Sequence, residues 1–268
     1  MRAGWNPARG NRKVGTKARG HGQDNRLTIP GDWDDLRRFY ERLASYVVVK
    51  RCVADRELVF LVEPTRPGWF HPCTIDDLCL AMSRIPQQHL ATFDLVVLRQ
   101  PTRKQRVLSA VWGRAISIFE VGEHSGPAIV LEAQDNEPFT WPLSLSPDRS
   151  RELERLREDG HAVRRSRRCF EVITTPDTIR NTVLYRTLLH EIGHRVDRSR
   201  CSFEEWNGRT STELEDYAHR YACEAFATLR QAGVAPFAAL FDAQGMRQEG
   251  LAPEWFAAAE RAFAGTAD

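Results

Sequence analysis

Hydrophobic and polar positions follow a strand-like period through the first half of the chain and a helix-like period through the second. Residues 46–53 and 57–63 are β-rich runs around Ala54-Asp55-Arg56, which predicts a hairpin. Upstream, Leu36, Phe39, Tyr40 and Leu43 fall on one face of a helix that Asp32 can cap. Thr74, with Asp77 three residues later, opens a helix running to Arg84 in a capping-box arrangement. Four further strands are expected at 94–99, 106–112, 115–121 and 128–133, with breaks at Pro101, at Gly113 and from Gly122 to Pro127. Ser146-Pro147 supplies the N-cap and first turn of a helix that Gly160 ends, and 169–174 reads as a short strand. After Pro176 the pattern is helical, over 178–199 and 211–231, then in shorter helices before Gly245 and after Pro253. Strands followed by helices predict an α+β fold, a mixed or antiparallel sheet with a helical half after it, rather than a parallel βαβ sheet.

Composition narrows the functional classes. With 42% hydrophobic residues, 13 Phe and 7 Trp in 268 residues, the chain can bury a sizeable core, so it is not largely disordered. The longest stretch without charge, residues 231–241, is about half of what a membrane-spanning helix needs. The N-terminal residues show no apolar leader, so the expectation is a cytoplasmic protein, with non-classical export left open. The net charge of +2 conceals an asymmetry. Residues 1–26 carry seven basic residues against Asp24, a charge of +6, which leaves −4 for the rest. This basic arm has no aromatic beyond Trp5 and reads as a disordered, solubilising tail; any nucleic-acid contact would run through it. None of the six cysteines forms a C-x-x-C pair, which points to free thiols, and His71, Cys73 and Cys79 fit no standard zinc spacing.

The chemistry-bearing motif is His190-Glu191-Ile192-Gly193-His194. On a helix, the four-residue spacing puts both imidazoles on one face, one turn apart, where they can hold a single Zn²⁺. Glu191 lies about 100° round the helix, placed to act as general base on a metal-bound water without being a ligand. Leu188, Leu189, Ile192 and Val196 form an apolar stripe roughly opposite the histidines, so one face can anchor in a core while the other opens into a cleft.

The segment from His190 to Asp197 resembles the zinc helix of zincin metallopeptidases. Together with Glu215-x-Tyr-Ala-x-x-Tyr221-Ala it is similar to the glutamate-ligand branch that includes anthrax lethal factor-type peptidases. The resemblance covers residues 190–227 and implies a zinc-dependent hydrolase acting on a protein or peptide substrate laid along a sheet edge, one of the strands between Asp94 and Ala133. A catalytic zinc needs a third protein ligand. Arg200 stands where a metzincin would supply it, so it should come from the next helix, where Glu213, Glu215, His219 and Glu224 compete. Glu215, at the edge of the buried stripe beside Ala218 and Ala222, is the choice, and Glu224 is the main rival. Asp197 continues the histidine face, either orienting an imidazole N–H or a nearby backbone group, or pairing with Arg198 or Arg200. His219, one turn on, supports a metal ligand or contacts the substrate, or is simply exposed. No tyrosine precedes Glu215 as the lethal factor pattern requires, so Tyr217 and Tyr221 are the candidates for stabilising the transition state, or else core aromatics. The organisation expected is an arm over 1–26, an α/β region with the sheet over 27–145 and a zincin-like catalytic region over 146–268, the last two in one body. The alternative is a regulatory or DNA-associated zinc protein with a basic targeting arm and little or no turnover, or a purely structural zinc domain.

Overall fold

A computed structural model describes residues 43–102 and 111–257. The basic arm, the helix expected after Asp32 and most of the strand expected over 106–112 lie outside the described residues. Five strands form the main sheet in the order β1-β2-β3-β5-β4. Strands β1 (Val47–Val53) and β2 (Arg56–Val62) are the expected hairpin, closed by Ala54 and Asp55 with φ of 48° and 63°. Two successive residues with positive φ give a turn whose twist matches the strands it joins.

The sheet is mixed, and its centre is parallel. Strand β3 (Leu95–Arg99) lies parallel to both β2 and β5 (His124–Glu132). The connection from β2 to β3 runs through α1 (Ile75–Met82) and the short α2 (Gln87–Leu90), a βαβ crossover that the strands-then-helices reading did not anticipate. The sequence of β3, Leu-Val-Val-Leu-Arg, is buried at every position, as in a strand covered on both faces. Helix α1 starts with the expected capping box between Thr74 and Asp77.

Strand β4 (Gly113–Val121) pairs antiparallel with β5 and forms one edge of the sheet. The expected break from Gly122 to Pro127 is shorter than read: His124 already pairs with Val121, and Pro127 lies inside β5. Pairing skips from Ile116 to Phe119, so Ser117 and Ile118 together oppose Pro127 in a β-bulge. A proline has no N–H to donate, and a bulge is where a strand tolerates one.

A second sheet, β6 (Phe139–Pro142), β8 (Cys169–Ile173) and β7 (Ala162–Arg165), is antiparallel. Of its strands only β8 was expected, because β6 and β7 are four residues each and mostly polar or exposed. Helix α3 (Pro147–Glu158), capped by Ser146, buries Leu153 and Leu156 against Val172 of this sheet. Since β6 pairs with β8, the sheet spans the boundary expected near residue 145.

The long helix expected over 178–199 is three segments. Helix α4 (Pro176–Asn181) is capped by Thr175, a π-helical stretch covers Thr182–Thr187, and α5 (Leu188–Ser199) carries the His-Glu-His motif. The π-helical stretch presents Arg186 to Glu152 and Asp159, and Thr182 to His161. Widened turns of this kind recur beside functional sites. The apolar stripe of α5 behaves as read: Leu188, Leu189, Ile192 and Val196 are buried in the main core with β2, β3 and α1. Helices α6 (Phe203–Gly208), α7 (Ser211–Gln231) and α8 (Ala243–Gln248) follow, then a 3₁₀ turn at Pro253–Trp255. No helix among the described residues is long and apolar enough to cross a membrane.

His71 and Cys73 are structural. Both are buried; His71 Nε2–H donates to the Glu63 carbonyl at 2.7 Å, and its Nδ1 has no partner. Burial pushes the His71 imidazole down to about 4, with the bond to Glu63 opposing. The unfolded chain therefore takes up a proton below about pH 6.5 that the folded protein refuses until about pH 4. Stability is full above that window and falls through it by about 3 kcal/mol. Urea unfolding from pH 7 to 4 should show this loss, and His71→Gln should flatten it; an unchanged slope in that variant would assign the acid sensitivity elsewhere.

A candidate metal centre beside the edge strand

Helix α5 turns His190 and His194 away from its buried stripe, and their Nε2 atoms lie 3.0 Å apart. Helix α7 brings Glu215 to the same point: Oε2 is 3.2 Å from His190 Nε2 and Oε1 is 3.5 Å from His194 Nε2. His219, one turn further along α7, packs its ring 4.4 Å from that of His190, with Nε2 4.0 Å from Glu215 Oε2. Donor atoms of His190, Glu215 and His219 all fall within 4.8 Å of one another. Ligands at about 2.0–2.1 Å around a tetrahedral Zn²⁺ stand about 3.3–3.4 Å apart, so His190, His194 and Glu215 fit one ion in spacing and donor type.

Small residues permit this approach. A Cβ built on Gly193 would lie 3.0 Å from both Ala218 Cα and Tyr221 Cβ, with Ala218 and Ala222 buried at the crossing. The backbone of α7 cannot yield as the tip of a side chain would. Gly193→Ala is expected to push α7 outward and weaken zinc binding at least about tenfold while leaving helical content intact. Zinc titration with circular dichroism tests this, and wild-type affinity would refute it.

The start of α7 is fixed twice. Thr210 and Glu213 form a capping box, which occupies one of the four competing ligands. Just before it, Arg209 Nη1 donates to both carboxylate oxygens of Asp197 at 2.7 Å. Asp197 is buried and pairs with Arg209 rather than with Arg198 or Arg200, while its charge is felt by the His194 imidazole. It fastens the loop that leads into α7, so it positions Glu215 from a distance. Glu224 is exposed; nine positions beyond Glu215, at about 100° each, it lies on the opposite face of α7.

The two tyrosines point elsewhere. Tyr217 Oη accepts from Arg200 at 2.6 Å, and Tyr221 Oη meets His89 Nδ1 at 3.0 Å. His219 instead faces the cleft, its imidazole held down to about 3 by burial and by the His190 and Arg155 charges. Glu215 is held well below the usual carboxylate range by its hydrogen bonds to His190 and His194.

Glu191 is buried, which raises its proton affinity, and it accepts a hydrogen bond from the Ala115 backbone N–H of β4. This contact belongs to a series in which strand and helix run in step. A Cβ on Gly113 would touch Thr187, Ala115 meets Glu191, and Ser117 Oγ accepts from Arg195 at 3.0 Å. Between them lies a cleft of about 490 Å³, lined by Ala115, Ser117, His190, Glu191, His194 and Glu215 among others. Sequence reading missed Ala115, Ser117 and Arg195, since none belongs to a motif and strand order is set only by the assembled sheet. No family model, curated protein or solved structure matches this chain.

Proposed function

We propose that the protein is a zinc-dependent peptidase. The observation that carries this reading is the convergence of His190, His194 and Glu215 at 3.0–3.5 Å beside a buried Glu191 anchored to an edge strand. Those three residues would hold the ion, which when bound supplies a Lewis acid for the scissile carbonyl and acidifies water.

The remaining work falls to the chain. Glu191 takes the proton of the attacking water on its carboxylate and returns it to the leaving amine. The Ala115 N–H fixes that carboxylate in place, and burial makes it a stronger base than a solvated glutamate. Among the described residues no further strand pairs with the outer edge of β4, where an extended peptide can add as one. With both tyrosines engaged elsewhere, His219 is the side chain placed to meet the charge that develops on the carbonyl oxygen.

Metal analysis of the purified protein tests the reading. Wild type and Glu224→Ala should bind one zinc, and His190→Ala and Glu215→Ala should lose it. A wild type without zinc would sink the proposal, and full occupancy in Glu215→Ala would remove the third ligand.

A further inference from the structure

The cleft along β4 changes character from end to end. Toward Gly113 it is walled by Trp112 and Trp141; toward Ser117 it is lined by Arg195, Arg198 and Trp206. Arg195 donates Nε–H to the Thr92 carbonyl and Nη1–H to Ser117 Oγ, each at 3.0 Å. Arg198 donates Nη1–H to the Cys201 carbonyl at 3.0 Å and lies over the Trp206 ring at 5.8 Å. Both guanidiniums thus hydrogen-bond to neutral groups, and neither forms an ion pair with a carboxylate among the described residues; Asp94, whose charge reaches Arg195, is paired with Arg56. The carboxylate between them in sequence, Asp197, is taken by Arg209. The carboxylates that line this cavity, Glu191 and Glu215, are held by Ala115 and by the two histidines.

Two cations kept on neutral acceptors at the wall of a cleft are a receptor for negative charge: an incoming carboxylate would form charge-assisted hydrogen bonds that nothing among the described residues supplies. We propose that the Ser117 end of the cleft is a subsite for an acidic side chain, so that the substrate is a peptide with Asp or Glu beside the scissile bond. This rests on the peptidase reading for the bond that is cut. Strand geometry fixes the distance. Ser117 is two residues from Ala115, so a peptide laid along β4 carries the side chain facing Ser117 about 6.6–6.8 Å, two residues, from the point facing Glu191. The acidic residue therefore falls within two positions of the cut and always on the same side of it.

The test uses the zinc-loaded full-length protein and a randomised decapeptide mixture, with cleavage sites read by mass spectrometry. Asp and Glu should exceed Lys and Arg roughly ten- to a hundredfold at one position within two residues of the cut. Arg198→Gln, which can still donate to the Cys201 carbonyl, should reduce that preference about tenfold. Cleavage with no acidic preference, or with a basic one, overturns the subsite while leaving the peptidase intact. Failure to cleave any peptide overturns the peptidase reading instead. In that event the subsite is decided by fluorescence anisotropy of labelled Glu-rich and Lys-rich decapeptides on the same protein. The acidic peptide should bind at least about tenfold tighter at low ionic strength and lose that advantage near 1 M salt. Equal affinities would refute the subsite.

Discussion

A Glu191→Gln protein is expected to bind zinc like wild type and to hydrolyse peptides about 10²–10⁴-fold more slowly. The substitution separates the two roles proposed for this side chain. Glutamine keeps the length and a carbonyl oxygen that can accept from the Ala115 N–H, so the contact between helix α5 and strand β4 persists. It cannot accept a proton from water at neutral pH, so the general base is lost. Because Glu191 is buried, trading a charged for a neutral group of equal size should not lower stability. Zinc content, melting temperature and turnover of a peptide mixture, measured side by side, form the test. Turnover within twofold of wild type would show that Glu191 is not the base, and loss of zinc would show that it supports the metal instead.

The largest effect on stability is expected from Arg180→Ala. Arg180 donates Nε–H and Nη2–H to the two oxygens of Asp77 at 3.1 and 2.8 Å, and Nη1–H to the Phe237 carbonyl at 3.0 Å. Its guanidinium also lies 4.8 Å from the centre of the Phe237 ring. Asp77 in turn accepts from the backbone N–H groups of Thr74 and Leu240. Both charged side chains are buried, at 8% and 1% exposure. Removing the arginine leaves a dry carboxylate with backbone donors alone, which costs about 3–5 kcal/mol. The loss joins three distant stretches, since α1, α4 and the segment after α7 all meet at this pair. Urea unfolding at neutral pH should register it, and Asp77→Ala combined with Arg180→Ala should cost less than the two single changes summed. A single-variant loss below about 1 kcal/mol would show that the pair is not an uncompensated buried charge when broken.

What could be read from the chain beforehand was whatever a single helix or turn determines. The motif on α5, its buried stripe, the caps at Thr74 and Ser146 and the ends of α7 depend on residues within a turn or two of one another. That Glu215 lies at the edge of the buried stripe and Glu224 further toward solvent follows from the geometry of one helix. What escaped was non-local. Nothing in Gly113–Val121 marks it as an edge strand, because its place depends on the parallel insertion of β3 between β2 and β5. The partner of Asp197 escaped because Arg209 reaches it from beyond an intervening helix. Strands β6 and β7, four residues each, are too short to announce themselves. Residue type leaves Tyr217 and Tyr221 between cleft and core, and their hydroxyls meet Arg200 and His89.

The bulge at Ser117 and Ile118 sets the length over which β4 and α5 run in step. Two strand residues advance about 6.6–6.8 Å and four helix residues about 6 Å, so β4 and α5 act as two scales of nearly equal pitch that drift apart by under 1 Å per step. They stay aligned over three marks, at Gly113, Ala115 and Ser117, and the bulge then breaks the sequence of marks by turning the strand. Only a span of about four residues can therefore be gripped by both scales together. A single residue inserted before Ala115 would turn its N–H from Glu191 toward β5, whereas a pair would restore the phase.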